Sequence, residues 1–530
     1  METVPVNVRN ALAVVVASVI VYSVIKFLRV SVWQPLRLRR IMAKQGVSGP
    51  PFRFVRGQFV EMWKFTESFP DALPIDDFAN LTPTVTPQNA LYYPKYGKIY
   101  LYWWGTITRL AVRDPKIVKE LMVSNHESLT RLQSESQFLA EVVGKGLLTQ
   151  VGEKWASERR TLGPFFHQKS LEGMVGAIME GAATELQKWE QEVEERGGTA
   201  ELDVEPDLHK ISGRIISRTA FGDEFEIGEQ IFKFQTLLSQ ELLKGFRSTA
   251  YWLVPGYRNL PTKRNRSMNL YGSQVDALVR GIINARREAV QKGVTSSYGD
   301  DLLGRMLTAA TEGWSANTKE FNQLAVFNNC KLFYFAGQDT VANAIGFMIL
   351  MLALYPEWQD RCRQEVTEIL GDEQDWRASD ISRLKVVGMV FNETLRIFPP
   401  ASTLTRVAAK DLQLEGLFIP KGMAIEFSLA AMHQDKDYWG DDVGKFNPER
   451  FVNGAASACT HPQAFSPFGL GPKFCIGNNF AVMEAKIVLA MMLRRFQLVL
   501  SPNYKHHPTS IMVQSPKFGL PIILKALKIT

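Results

Sequence analysis

The stretch Phe468-Gly469-Leu470-Gly471-Pro472-Lys473-Phe474-Cys475-Ile476-Gly477 decides the reading of this chain. It is a glycine-rich loop holding one cysteine, and Asn478 to Arg495 behind it repeats its apolar residues at helical spacing. Cys475 therefore stands just ahead of a helix N-terminus, where unpaired N–H groups and the helix dipole favour a thiolate. Gly471 and Gly477 permit tight backbone conformations and close approach. Taken alone, the loop suits a packing cysteine beside a turn equally well. The other cysteines, Cys330, Cys362 and Cys459, are scattered, and four in all are too few for a disulfide framework. A reducing compartment is expected for the body of the protein. Cys330 should pack as a small apolar group, Cys362 should lie on a helix surface between Arg361 and Arg363, and Cys459 in a polar loop.

Upstream, the pattern is mostly helical. The longest helix is read from Thr318, as N-cap with Glu320 in its first turn, to Tyr355 before Pro356. Val341 to Leu354 is apolar on nearly every face, so this helix must be buried on all sides. Inside it stands Ala336-Gly337-Gln338-Asp339-Thr340, where a glycine without a side chain lets a ligand approach and a hydroxyl sits beside an acid. Glu393 and Arg396 lie three apart, on one face of a helix that Pro399-Pro400 ends. Pro448-Glu449-Arg450-Phe451 follows. Trp155 and Arg159 lie one turn apart on a helix. Lys98 to Trp104 and Thr106 to Val112 read as a hairpin across Gly105, and short strands are expected at Leu412 to Phe418 and within Leu498 to Ile523.

The loop resembles the haem-binding signature of cytochromes P450, F-x-x-G-x-[RH]-x-C-x-G. Phe468, Gly471, Cys475 and Gly477 match, and Lys473 stands where that family usually has arginine. The other motifs resemble the family's in the same order, across nearly the whole chain. Ala336 to Thr340 is similar to [AG]-G-x-[DE]-T, Glu393/Arg396 to E-x-x-R, and Pro448 to Phe451 to P-E-R-F. Val254 to Asn265 and Ile215 to Gly222 are similar to segments of the plant 72 clan, whose known members oxidise terpenoids and hormones.

The resemblance implies a mainly α fold with small β-sheets and a haem b held by Cys475 as the iron ligand. A thiolate ligand pushes electron density toward iron and favours O–O cleavage. It further implies propionate contacts from Trp155, Arg159, Arg406 and Lys473, and proton handling by Asp339 and Thr340. Glu393, Arg396 and Arg450 are expected to be structural. Val341, where many members have threonine or serine, is taken as a difference in the pocket. The pocket would be lined near Phe138, Phe335, Ala336, Ala401 to Leu404 and Pro516 to Phe518, with Ser402 and Thr403 able to orient an oxygenated group. The implied activity is monooxygenation of an apolar small molecule with O₂ and electrons from NADPH, delivered by a separate cytochrome P450 reductase. Lys154, Arg159, Arg160 and Lys473 are a candidate docking face for it. Two alternatives stay open: a family member that rearranges its substrate without O₂, and a non-catalytic haem protein. The Asp339-Thr340 pair argues against both.

The N-terminus adds a membrane. Asn10 to Ile25 is uncharged and rich in Ala, Val and Ile, and Arg9 and Lys26 at its ends can snorkel, so it reaches the roughly 20 residues a spanning helix needs. Lys26, Arg29, Arg37, Arg39 and Arg40 follow it, which puts the C-terminal side in the cytoplasm. A cleaved signal peptide fits less well, because no A-x-A-like site closes the run. The expected organisation is residues 1–48 as one transmembrane helix with a basic, proline-broken hinge (Gly49-Pro50-Pro51) and residues 49–530 as the catalytic domain, facing the cytoplasm from the endoplasmic reticulum. Across 530 residues, 46% are hydrophobic and 22% charged, which excludes a disordered or low-complexity chain. A net charge of +7 is mild for this length and gives no support to nucleic-acid binding. Neither a close cysteine pair, H-E-x-x-H nor a P-loop motif is present, which leaves zinc and nucleotide chemistry unsupported.

Overall fold

The computed structural model describes residues 6–527 apart from 76–77, 223, 249–250, 252–253, 255, 314–320, 372–374 and 511. In chain order the elements that position the site are α1 (Val6–Leu28), α2 (Gln34–Ala43), β1 (Ile99–Trp104), β2 (Ile107–Val112), β3 (Leu129–Thr130), α3 (Gly152–Leu162), α4 (Val175–Glu195), β4 (Thr199–Asp203), α5 (Glu205–Phe221), α6 (Phe225–Arg247), α7 (Lys263–Gln291), α8 (Gln323–Leu354), α9 (Pro356–Leu370) and α10 (Lys385–Ile397). Then come β5 (Leu404–Ala408), β6 (Leu412–Leu414), β7 (Leu417–Ile419), β8 (Ala424–Phe427), α11 (Asn478–Arg495), β9 (Phe496–Leu500), β10 (Pro508–Ser510), β11 (Gln514–Pro516) and β12 (Pro521–Ala526).

The expected hairpin forms: β1 and β2 pair antiparallel from Ile99↔Val112 to Trp104↔Ile107. Gly105 turns it with φ +63°, a backbone state that glycine adopts without a Cβ penalty. These strands open a five-stranded sheet of order β1-β2-β8-β5-β3, in which only β2 and β8 run parallel. Under the sheet, Glu426 accepts hydrogen bonds from Gln88, Tyr102 and Arg109, so its buried charge is compensated. The strands expected near the C-terminus form a β4-β12-β9 sheet and the β10-β11 hairpin, and β6-β7 is the pair expected at Leu412 to Phe418.

The long helix is α8, and its start differs from expectation. Thr318 and Glu320 lie outside the described residues, and the N-cap is Asn322, whose side chain accepts from the amides of Leu324 and Ala325. An asparagine in that position accepts from amides that the first turn leaves open, so it sets the start of the helix. The helix stops at Leu354 because Pro356 lacks the N–H that would continue it. At 32 residues it is about 48 Å long. Ala325 to Tyr334 and Val341 to Ala353 are buried, as the all-round apolar pattern requires. Among the described residues it is the one helix long and apolar enough to cross a membrane, yet 72% of its most apolar window lies inside the protein. It is a core helix. Cys330 is buried on it. Cys362, expected on a surface, is also fully buried: α9 turns it inward, with Arg361 exposed on one side and Arg363 donating to the carbonyls of Leu493 and Phe496 on the other. Burial pushes both thiols up, which keeps them neutral and inert.

Residues on both sides of the basic stretch after α1 differ in how they pack. Leu38, Met42 and Val47 are buried against Leu101, Trp103 and Ile419 in a core between α2 and the sheet. Gln45 donates to the Phe418 carbonyl and accepts from its amide. Leu101 donates its amide to the Ser48 carbonyl, and a Cβ on Gly49 would lie 1.9 Å from the Leu101 oxygen. Residues 34–49 are thus stitched onto β1. By contrast, Val14, Val15, Val21, Tyr22, Val24 and Ile25 of α1 are exposed.

Candidate functional site

The glycine-rich loop is built by local hydrogen bonds. Its entry is fixed by Ser466, whose amide donates to His433 Nε2 at 3.0 Å. His433 is fully enclosed, and burial with Arg396 nearby pushes its imidazole down to about 3, so it stays neutral and able to accept. The loop closes where the Cys475 amide donates to the Phe468 carbonyl at 2.9 Å and that of Phe474 to Gly471. Gly471 has φ +69°, and a Cβ there would fall 2.1 Å from the Met122 oxygen, so only glycine lets the loop lie on that segment. Gly477 is different from expectation. Its φ is −93°, an ordinary value, and a Cβ would meet nothing closer than Phe166 at 3.8 Å. Its bare position keeps space clear beside Cys475.

Cys475 is exposed by surface area, yet desolvation by the surrounding walls holds its thiol above the usual range. The Gly477 backbone and Arg159 pull the other way.

Around this sulfur the structure collects cations. Lys473 Nζ donates to the Gln150 carbonyl and lies 4.9 Å from the centroid of the Trp155 ring. Burial, then Arg131 and Arg406, push its amine down to about 7. Arg406 is buried on β5, donates to the Thr405 carbonyl at 2.8 Å, and is held below its usual range by burial. Burial and Arg406 push Arg131 down to about 9, and its Nε is buried with no partner. Arg159 is lowered by burial as well. Arg131, Arg406 and Lys473 repel one another in a desolvated place, which is costly unless anions share it. Glu135 offsets Arg131 and Arg406 only in part, and a thiol near such a cluster fits an iron porphyrin with a sulfur-ligated metal and two carboxylates. Arg131 carried no signal in the sequence, since a single arginine in a loop has no spacing to betray it. The proposed docking face splits: Lys154 and Arg160 are exposed, whereas Arg159 and Lys473 turn inward to this cluster.

Glu393 and Arg396 of α10 form a doubly hydrogen-bonded pair, Nε to Oε2 at 2.7 Å and Nη2 to Oε1 at 2.8 Å, both fully buried. Arg396 spends its remaining donors on the carbonyls of His433, Val443 and Lys445. Arg450 approaches Glu393 at 3.6 Å and donates to the carbonyls of Trp439 and Asp442. The three charges clamp the irregular segment that carries His433 and leads to the loop.

On α8, Thr340 Oγ1 donates to the Ala336 carbonyl at 2.7 Å, and Asn343 Nδ2 to that of Asp339. Burial pushes the Asp339 carboxyl up to about 6, which lets it take up and release a proton near neutrality. Gly337 lies against α5. A Cβ there would lie 2.6 Å from Ile216 Cγ1, so its bareness serves the contact of α8 with α5. Val341 packs in the core. Phe335 and Ala336 are half-buried. Ser402 shares a hydrogen bond with Ser510 at 3.1 Å, and Phe518 is turned to the surface between Lys505 and Lys517.

The family model described as "Cytochrome P450" matches residues 87–524. The chain is 35% identical to "Cytochrome P450 72A15" of Arabidopsis thaliana, covering 94% of this chain and 95% of the relative. It is 32% identical to "Cytokinin hydroxylase" of the same plant, covering 93% of each. Among solved structures, "Retinoic acid bound cyanobacterial CYP120A1" superposes with a TM-score of 0.70 at 23% identity, covering 82% of this chain and 93% of that one, which is a likeness of fold.

Proposed function

Since the chain belongs to the cytochrome P450 family, and is thereby a monooxygenase with a haem b cofactor, we propose that it hydroxylates an apolar, terpenoid- or hormone-like small molecule with electrons relayed from NADPH by a separate reductase. The observation that carries this reading is the thiol of Cys475 near the cluster of desolvated cations Arg131, Arg159, Arg406 and Lys473, which among the described residues outnumber the one carboxylate acting on them, Glu135. Bound haem supplies the electron chemistry that activates O₂. The chain's own work is then to bind, orient and supply protons. Cys475 is the sulfur ligand, and the cations hold the propionates, with Trp155 supporting Lys473 from below. Lys473 acts as a point charge where an arginine would fork. Phe468 and the two glycines Gly471 and Gly477 shape the loop around the sulfur. Asp339 carries protons, and the Thr340 hydroxyl hands them on at the site's edge. Half-buried Phe138, Phe335 and Ala336 give an apolar wall that excludes water and suits an apolar ligand.

The exposed apolar face of α1 supports a membrane anchor, with the catalytic domain on the cytoplasmic side of the endoplasmic reticulum. A plant hormone hydroxylase among the relatives supports the substrate class. The test is a metabolite screen with a reductase-supplied membrane preparation. Products heavier by one oxygen, dependent on NADPH and reductase, are expected. Product formation that persists without either would replace this reading with an isomerase or dehydratase.

A further inference from the structure

Glu205 and His209 lie one turn apart on the face of α5 that looks toward α8. His209 Nε2 is 3.4 Å from Glu205 Oε1, and its Nδ1 is 3.8 Å from Asp339 Oδ1. The imidazole therefore lies between two carboxyl groups, one nearest each ring nitrogen, with Nε2 buried and its hydrogen bond not completed. Gln338 of α8 donates to the His209 carbonyl at 3.1 Å and fixes the two helices in register at this point. Glu205 sits in the first turn of its helix, with 32% of its side chain open to solvent. The other charged group facing it is Asp203 at the end of β4, besides Asp339 itself. Among the described residues, neither Glu205 nor Asp339 forms an ion pair with a lysine or arginine. A structural salt bridge would want such a cation; a proton path does not.

We propose that Glu205 and His209 form the inlet through which solvent protons reach Asp339. This rests on the reading of Asp339 as proton carrier. With His209 neutral and protonated on Nδ1, that proton passes to the Asp339 carboxylate, and Nε2 takes a proton from the Glu205 carboxylic acid. Glu205 is left ionised and recovers its proton from water. The imidazole ends as the other tautomer, and a ring flip restores it. The 3.8 Å gap exceeds hydrogen-bond length by a few tenths of an ångström, within reach of a small side-chain rotation. The environment supports this order. Burial pushes His209 down to about 4, so it rests neutral, and burial with two like charges pushes Glu205 up to about 7, so it holds a proton part of the time at neutrality. Glu205 and His209 act through Asp339 and are positioning residues of the proton supply.

The test has two arms on the haem-loaded full chain. In the first, without substrate or reductase, infrared difference spectra are recorded against pH, and the Asp339 carboxyl band is identified by its loss in Asp339→Asn. Glu205→Gln should leave its midpoint nearly in place, because Glu205 still holds its proton where Asp339 titrates, and His209→Phe should move it up by about half a pH unit, because an apolar ring replaces the imidazole beside the carboxylate. In the second, peroxide released per NADPH is measured with reductase and a compound that the unaltered protein oxidises. His209→Phe, the milder His209→Gln and Glu205→Gln should each raise it about threefold and enlarge the solvent isotope effect on product formation. The double variant His209→Gln/Glu205→Gln should be no worse than either single one, since both interrupt one path. An unmoved Asp339 midpoint in His209→Phe, or losses that multiply in the double variant, would overturn the inlet. Asp339→Asn and Thr340→Ala are run alongside. If these leave the peroxide ratio unchanged, the proton role of Asp339 itself fails; if they raise it while His209→Gln and Glu205→Gln do not, only the inlet fails.

Discussion

Glu484 on α11 is wholly enclosed, and neither carboxylate oxygen has a hydrogen-bond partner. Burial pushes its carboxyl up to about 8; the nearby Ser212 favours ionisation, but its hydroxyl likewise completes no bond. The folded chain therefore binds this proton more tightly than the unfolded chain does. Stability from this group is full below the ordinary carboxylate range, near 4.5, and is lost as pH rises toward about 8. Each tenfold difference in proton affinity is worth about 1.4 kcal/mol. Glu484→Gln should thus stabilise the protein at pH 8 by at least about 1 kcal/mol, with the gain vanishing toward pH 4.5. Denaturant titrations of both proteins across that window check it, and a gain that grows toward acid would refute it. Of the single residues, those in a spaced motif were legible: Cys475, Glu393, Arg396 and Thr340 all stand where spacing put them. Arg131, His433, His209 and Glu484 were not, because each matters through a neighbour far away in the chain, and distance in sequence hides that.

Among elements, α10 and the segment it holds are the most exposed to a single change. Removing the Arg396 side chain would leave buried Glu393 with only the more distant Arg450 and the Asn447 amide, and three carbonyls would lose their donor. Breaking a buried pair in this way costs about 3–5 kcal/mol. Arg396→Ala should therefore lose most of its haem content, measured by absorbance after purification, and unfold at lower denaturant. Arg361→Ala, whose pair with Glu449 is exposed, should cost less than about 1 kcal/mol. Equal losses from the two would contradict the clamp. Element type was readable wherever periodicity was strong: the alternating aromatics of β1 and the all-round apolar α8 are both found. Element ends and facings were harder. The start of α8 depended on which polar residue caps it, and Gly337 and Cys362 were assigned to the wrong neighbours because helical periodicity gives a face but not what lies against it.

At the scale of the molecule, residues 34–49 are fastened to the sheet while α1 exposes its apolar side chains, and we propose that the catalytic body begins near Gln34. Removing the residues before Gln34 should leave haem binding intact and loosen membrane attachment, checked by fractionation and by haem absorbance. Removing those up to Ser48 should also strip Leu38, Met42 and Val47 from the sheet and cost several kcal/mol, at about 2–3 for each fully buried large side chain. Equal stability of the two truncated forms would contradict that boundary. The clamp and the segment it holds lead to one loop, and the proposed chemistry depends on the sulfur that loop presents. The most direct measurement is the absorbance of the reduced protein under carbon monoxide, for the unaltered chain and for Cys475→Ser. The unaltered chain should show the strongly red-shifted Soret band of a thiolate-ligated haem. Cys475→Ser should lose that band, since a neutral hydroxyl cannot supply the electron push, while serine at Cys330, Cys362 or Cys459 should keep it. A red-shifted band that survives Cys475→Ser would contradict the account.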